Sequence, residues 1–207
     1  MDDPDRARRT STRDIEEEHE RSAHEYQPWL PRSRAMEDEQ AVIRDVLARR
    51  AGALRFGENC FVARSAHVHT HHLELGARSW IAAGAVVRGH VTIGDDTSIN
   101  PNAHVAGTVR IGSGVRIAGQ ASLYGFNHGH SRVDIPIHRQ PHTATGIEIG
   151  DGVWIGANAV IIDGCVIGRH CIIAAGSVVT RSFPDYQVIA GNPARILKDR
   201  RGEGAPG

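Results

Sequence analysis

From Leu75 onward the chain places an aliphatic residue at every sixth position. The series runs Leu75, Ile81, Val87, Ile93, Ile99, Val105, Ile111, Ile117 and Leu123, then resumes after a gap as Ile149, Ile155, Ile161, Ile167, Ile173 and Val179. The next residue is often Gly, Ala or Asn, as at Gly76, Ala82, Gly94, Asn100 and Gly156, and the fifth is usually small or β-branched, as at Ser79, Thr97, Ala103 and Ala159. A helical face repeats every 3.6 residues and a half-buried strand every two, so neither gives this spacing. A period of six with one obligatory aliphatic predicts a parallel β-helix of hexapeptides, each unit a short strand and a corner around a narrow shared core. Small second residues would let the backbone turn without a Cβ clash. Each coil would cover its neighbour's apolar layer.

Upstream the pattern changes. Met36, Ile43 and Leu47 share a helical face with Val46 beside them, which predicts an amphipathic helix over 35–51 with Gly52 as its stop. Residues 1–25 carry charges of both signs and Ile15 as their only large aliphatic, so they read as a solvated, poorly ordered arm. Tyr26, Pro28, Trp29, Leu30 and Pro31 follow as an aromatic knot that either pins the arm to the domain or meets a partner or substrate. Phe56 to Phe61 leads into the first coils, where Val62 and Val68 already stand six apart and Glu74 breaks the register. The expected division is an arm at 1–34, a helix and lead-in at 35–61, a β-helix at 62–184 with a loop excursion at 129–148, and a tail at 185–207. That makes the fold class mainly β.

Composition narrows the function. Lys+Arg and Asp+Glu both number 24 in the 207 residues, which argues against nucleic acid or an anionic membrane as the main partner. Lys198 is the only lysine. Cys60, Cys165 and Cys171 form neither a CxxC nor an even framework. Cys165 and Cys171 fill fifth positions of adjacent units, so they read as reduced, core-filling thiols. The N-terminus has no apolar signal-like region and no run approaches ~18 apolar residues, so a cytoplasmic location is expected.

Two histidine groups are candidates for chemistry. His67, His69 and His71 would share one face of an extended strand, with His72 alongside, and histidine is the commonest zinc ligand. No acidic or sulfur ligand is clearly placed beside them, so surface histidines without a metal are the expected reading. The second group lies where the repeat is interrupted between Gly129 and Glu148. A long loop in a regular solenoid adds exposed backbone without adding core, and such loops are usually functional or disordered. This one begins at Phe126-Asn127-His128-Gly129-His130 and carries Arg132, Asp134, His138, Arg139 and His142. His128 would be the last residue of its hexad, at the loop's mouth, where a neutral imidazole can take a proton from a hydroxyl or amine; a solvated loop histidine is the equal alternative.

Residues 150–199, GDGVWIGANAVIIDGCVIGRHCIIAAGSVVTRSFPDYQVIAGNPARILKD, resemble the hexapeptide-repeat acyltransferases. The nearest likeness is to sugar O-acetyltransferases acting on galactosides, maltose or nodulation factors, and it covers roughly 62–200. The resemblance implies a left-handed β-helix, a homotrimer, acetyl-CoA as donor, no metal, and a site in the cleft between two subunits. It places the catalytic base on His128, although counting back from Trp154 without a gap gives His130. It further implies acceptor contacts from Asn100, Asn127 and His130. Donor contacts would come from Trp154, Ala157, Ala175, Thr180, Arg181, Arg195 and Lys198. For Trp154, core packing is an equal alternative, and for Arg195 and Lys198 a solvated basic tail. The implied reaction is direct acetyl transfer to a hydroxyl of a sugar or similar small polar acceptor. A γ-type carbonic anhydrase and a non-catalytic trimeric scaffold are the rival readings; the first lacks its RGD and IGHxxxxHG segments here.

Overall fold

The computed structural model describes residues 12–50 and 53–202. Every sixth-position aliphatic from Leu75 to Val179 is at most 4% exposed, so the period does mark the core. Strand register sorts these residues onto three faces. Leu75, Ile93, Ile111, Ile149 and Ile167 stack along face 1. Face 2 carries Ile81, Ile99, Ile117, Ile155 and Ile173. Face 3 carries Val87, Val105, Leu123, Ile161 and Val179. All these pairings are parallel, and the coils form the left-handed parallel β-helix. Faces 3 and 1 belong to one nine-stranded sheet, and face 2 to an eight-stranded one.

The fifth position of each unit is a second core position. Ala85, Ala103, Ala121 and Ala159 are fully buried, and so are Ser79 and Thr97. Their hydroxyls are satisfied coil to coil. Ser79 Oγ donates to Gly94 O at 2.7 Å and accepts from Thr97 N at 2.9 Å, and Thr97 Oγ1 repeats the motif with Gly112 O and Val115 N. The second-position glycines serve a different purpose from the turning role expected of them. A Cβ on Gly76 would lie 2.4 Å from Gly94 C, and one on Gly156 would lie 2.5 Å from Ala175 N. Coil stacking is what forbids a side chain there. The turn itself falls two residues later, where Arg78, Asp96, Asn102, Gln120, Asn158 and His170 take φ of 53° to 62°.

The solenoid is longer than the repeat suggests. Ala53–Phe56 already pairs with residues 72–75, ahead of the expected start at 62. At the other end Gln187–Gly191 adds to face 2, and Ala194–Asp199 folds back antiparallel on it, so the tail begins inside the last coil. The register break is a bulge at His71, because Thr70 pairs with Gly89 and His72 with His90; Glu74 is an ordinary strand residue.

Helix α2 (Arg34–Arg50) closes the N-terminal end. Met36 is buried, and Ile43 and Leu47 pack on the core. Buried Gln40 extends the face 2 ladder with its side chain, donating to Val62 O at 3.0 Å and accepting from Val62 N at 2.9 Å. Gly52, the expected stop, lies outside the described residues, as do residues 1–11 of the arm. The rest of the arm is not irregular: Thr12–Tyr26 forms helix α1. It docks through polar contacts of its last turn, which explains why no apolar stripe announced it. The His24 ring nitrogens meet Glu20 O and Pro31 O at 2.9 Å, and the Glu25 carboxylate accepts from Arg64 N at 2.6 Å and from Ser65. The aromatic knot pins this segment, with Trp29 5.8 Å from Trp80, whose ring also carries Arg116 at 5.4 Å. No helix among the described residues is long and apolar enough to cross a membrane.

Candidate functional site

The corner between faces 3 and 1 is where the chain departs from its repeat. Val86–Ile93 and His104–Ile111 run through this corner as single strands, bending at Gly89 (φ 98°) and Gly107 (φ 93°). A Cβ on Gly107 would lie 2.5 Å from Gly125 O and 3.0 Å from Phe126 Cδ1. In the next coil Gly125 keeps register with Gly107, and the chain then leaves. It returns at Gly146 (φ 98°), and Ile147 pairs with Val109. The excursion is therefore 126–145 rather than 129–148. Asn127 and His128 sit inside it and are not the end of a coil.

The excursion has its own hydrogen bonds. Asn127–His128 pairs antiparallel with His142–Thr143, and Gly129 N donates to Pro141 O at 3.0 Å. Buried Gln140 accepts from Arg132 N at 3.1 Å and donates to Arg132 O at 2.7 Å and Ile135 O at 3.2 Å. At the foot, the Asp163 carboxylate of the following coil accepts from Thr145 N at 3.0 Å and Gly146 N at 2.7 Å. The loop is thus tied both internally and to the solenoid.

His128 is exposed and lies in register with His142, whose ring centroid is 4.3 Å away at 80°. Phe126 lies 6.2 Å from each of these rings, and the Arg88 guanidinium sits 5.1 Å from the Phe126 centroid. Tyr124 continues the row, edge-on to Phe126 at 6.2 Å and to His104 at 6.4 Å. Among the described residues no hydrogen bond reaches either ring nitrogen of His128. Its carbonyl accepts from His130 Nδ1 at 3.1 Å. The imidazole is held by ring packing while both nitrogens stay open, an arrangement that can accept a proton. Arg88, Tyr124 and Phe126 were not singled out from the sequence. Their signal is the coil register, which aligns Arg88, Ala106 and Tyr124 on one outward column.

Of the other expected site residues, Asn127 and His130 flank His128 in the excursion, and the rest do not join it within one chain. Asn100, Ala157 and Ala175 lie on the opposite edge of face 3, at its corner with face 2. There Asn100 donates to Ile117 O at 2.8 Å, and Gly176 N donates to Ala157 O at 2.9 Å. Trp154 points outward from face 2 and is 54% exposed, which overturns core packing: Ile155 takes the core position, and strand alternation turns its neighbour out. Thr180 and Arg181 are exposed beyond face 3 in the last coil, with Arg181 5.3 Å from the Phe183 ring. Arg195 and Lys198 lie exposed on Ala194–Asp199, where Arg195 Nη1 donates to Ala194 O.

The first histidine group is dispersed by the bulge. His71 stacks near His90 at 5.7 Å, and His72 Nε2 is 3.5 Å from Glu74. Among the described residues no three His, Cys, Asp or Glu side chains are placed to hold a metal ion. Cys60, Cys165 and Cys171 are buried, and burial pushes each thiol above its ordinary range, which fits core filling. A cavity of about 650 Å³ lies between α1, α2 and the first coil, lined by residues such as Glu25, Met36, Phe61 and Arg64. None of the expected site residues borders it.

The family pattern "Bacterial transferase hexapeptide (six repeats)" matches residues 72–107, 90–125 and 146–181. The matches stop at Gly125 and restart at Gly146, the two ends of the excursion. WbbJ of Escherichia coli K12, named as a lipopolysaccharide biosynthesis O-acetyl transferase, is 33% identical over 120 residues, covering 54% of this chain and 61% of the relative. An acetyltransferase of Saccharomyces cerevisiae is 38% identical over 112 residues, covering 53% and 56%. The chain thus spans between half and two thirds of these relatives' length. Among solved structures, the Bacillus cereus N-acyltransferase AntD, in complex with dTDP and coenzyme A, superposes with a TM-score of 0.67 at 21% identity. That match covers 78% of this chain and 89% of AntD, and at this identity it speaks for the fold. The sixfold core, the three-faced solenoid and these matches together show a chain built from hexapeptide repeats and similar to acyltransferases built from the same repeat.

Proposed function

We propose that this protein transfers an acetyl group from acetyl-CoA to a hydroxyl of a sugar or similar small polar acceptor, with His128 as general base. The observation that carries the reading is the His128 imidazole, packed by Phe126 and His142 but open at both nitrogens, at the foot of a structured excursion. A His128 nitrogen takes the acceptor proton as the acceptor oxygen bonds to the thioester carbonyl carbon. The C–S bond then breaks, and the imidazolium returns the proton to the departing thiolate. General-base assistance of this kind is worth about 10²–10⁴-fold.

A donor groove is supported by the edge between faces 2 and 3. Ala157 and Ala175 follow each other there on successive coils, with Asn100 further along the same edge, and small side chains let a ligand approach the backbone. Thr180, Arg181, Arg195 and Lys198 line the C-terminal end, where the positive charges of the last three suit phosphate groups. The base and this groove lie on opposite edges of face 3, so one chain cannot bring them together. A second copy packed on face 3 can, and that supports a homotrimer with the site between subunits. The outward side of face 3 fits such a cover, with half-buried Val86, Val160, Ile162 and Val178.

WbbJ's name favours oxygen as the acceptor atom, while AntD and the tetrahydropyridine-dicarboxylate relatives from Staphylococcus aureus are N-acyl- or N-acetyltransferases. The discriminating experiment presents acetyl-CoA with matched sugars and amino sugars and reads thiol release together with the acetylated product. Acetyl esters with saturable thermal stabilisation by coenzyme A are expected. Amide products alone would replace the hydroxyl reading. No thiol release and no stabilisation would remove the transferase.

A further inference from the structure

Among the described residues Arg88 is a cation with no acidic partner beside the proposed base. Its guanidinium rests on the Phe126 ring at 5.1 Å, and the same ring lies 6.2 Å from His128. Among the described residues Arg88 makes neither an ion pair nor a hydrogen bond. Four arginines of the coils and the excursion are paired, Arg78 with Asp96, Arg110 with Glu148, Arg132 with Asp134 and Arg169 with Asp185, whereas Arg181 rests on the Phe183 ring much as Arg88 rests on Phe126, but far from the proposed base. The surroundings explain why Arg88 is left over. Its register neighbours are His69 on one side and Ala106 on the other, so no carboxylate faces it across either coil. Gly107, which has no Cβ to collide with Phe126 Cδ1, lets the ring lie against the corner beneath the guanidinium.

A guanidinium on an aromatic face keeps its in-plane N–H donors for another ligand, and its planar fork matches carboxylate or phosphate oxygens. Resting on the acetyl-transfer reading above, we infer that Arg88 is an acceptor-binding residue and that the preferred acceptor is an acidic sugar. Its hydroxyl meets His128 while its carboxylate or phosphoryl group meets Arg88 across Phe126.

The test compares kcat/KM for glucuronic acid, glucose 1-phosphate and a neutral methyl glucoside in the wild type, Arg88→Gln and Arg88→Lys. The wild type is expected to favour one acidic acceptor over the neutral one by about 10–100-fold, the range of a charge-assisted contact. Whichever acid is preferred identifies carboxylate or phosphoryl recognition. Arg88→Gln should collapse that ratio, chiefly through KM, and Arg88→Lys should restore part of it by returning the charge without the fork. Added salt should lower the acid preference in the wild type but not in Arg88→Gln. Thermal melts of both variants check that the fold is intact. An equal acid-to-neutral ratio in wild type and Arg88→Gln overturns the inference. So does an Arg88→Gln defect confined to subunit association, which would make Arg88 an interface residue. If neutral acceptors turn over with His128 dependence in that case, the acetyl-transfer reading stands without this one. If nothing is acetylated, both fall.

Discussion

At the corner between faces 2 and 3, every coil makes the same move. Ala82, Asn100, Ala118, Gly156 and Ala174 each donate a backbone N–H to the next coil, to Ile99, Ile117, Ile155, Ile173 and Ile189 in turn, at 2.8–3.0 Å. Small residues there keep the coils close and present little except backbone. At the corner between faces 3 and 1 the coils from Gly89 onward bend at glycines instead, and one bend opens between Gly125 and Gly146 to release twenty residues carrying polar and aromatic side chains. The first corner supplies a uniform edge and the second carries the side chains of the proposed chemistry. A solenoid needs both, because a perfect repeat offers the same surface at every coil.

The largest expected effect separates the two roles. Deleting 126–145 joins Gly125 to Gly146 and makes Ile149 the sixth residue after Leu123, so the period is restored. The shortened chain should keep its β-rich circular dichroism and a cooperative melt while losing acetyl transfer. Unfolding on deletion would mean the excursion is part of the core. Next, Gly107→Val puts a β-branched residue at φ 93° against Gly125 O, which should cost about 2–5 kcal/mol in denaturant titration. A cost under about 0.5 kcal/mol would show that the bend has freedom to relax.

Smaller effects test the foot of the excursion. Asp163→Ala removes the carboxylate that ties down Thr145 N and Gly146 N and should cost about 1–3 kcal/mol. Faster amide exchange should then appear within 126–146 and leave the coils protected. Uniform loss of protection would contradict a local tie. Smallest is the acid dependence. Hydrogen bonds from Arg78, Arg169 and Arg201 hold Asp96, Asp185 and Asp199 below the ordinary 3.8. Carboxylates depressed on folding stabilise above about pH 4, and that contribution is lost as pH falls through the lowered values. These groups are exposed, so the Asp→Asn triple variant should flatten the acid limb of the Tm–pH curve only modestly. An unchanged limb would leave the three pairs without thermodynamic weight.

The period of six made the core legible because each coil repeats one packing problem. Leu75 through Val179 and the small fifth positions are buried for that reason. What escaped was set by single tertiary contacts. Helix α1 has no apolar stripe, and its docking rests on His24 and Glu25, whose partners Pro31 O, Arg64 and Ser65 lie in other segments. Counting sixes from Leu123 puts the excursion's exit at 129, three residues late, because the ladder parts at Gly125. Trp154 could have been read correctly, since a residue beside core Ile155 must face out of a strand. Arg88 and Phe126 could not, because their meeting needs the coil register. The roles of Asn100, Ala157, Ala175 and the C-terminal basic residues rest on the family likeness and on a second subunit.

The most direct measurement compares kcat/KM for acetyl transfer in wild type, His128→Ala and His130→Ala, with melts to confirm folding. If the His128 imidazole is the base, His128→Ala falls by about 10²–10⁴-fold at unchanged Tm while His130→Ala falls far less. Near wild-type turnover in a folded His128→Ala protein, or a larger loss at His130, would contradict it.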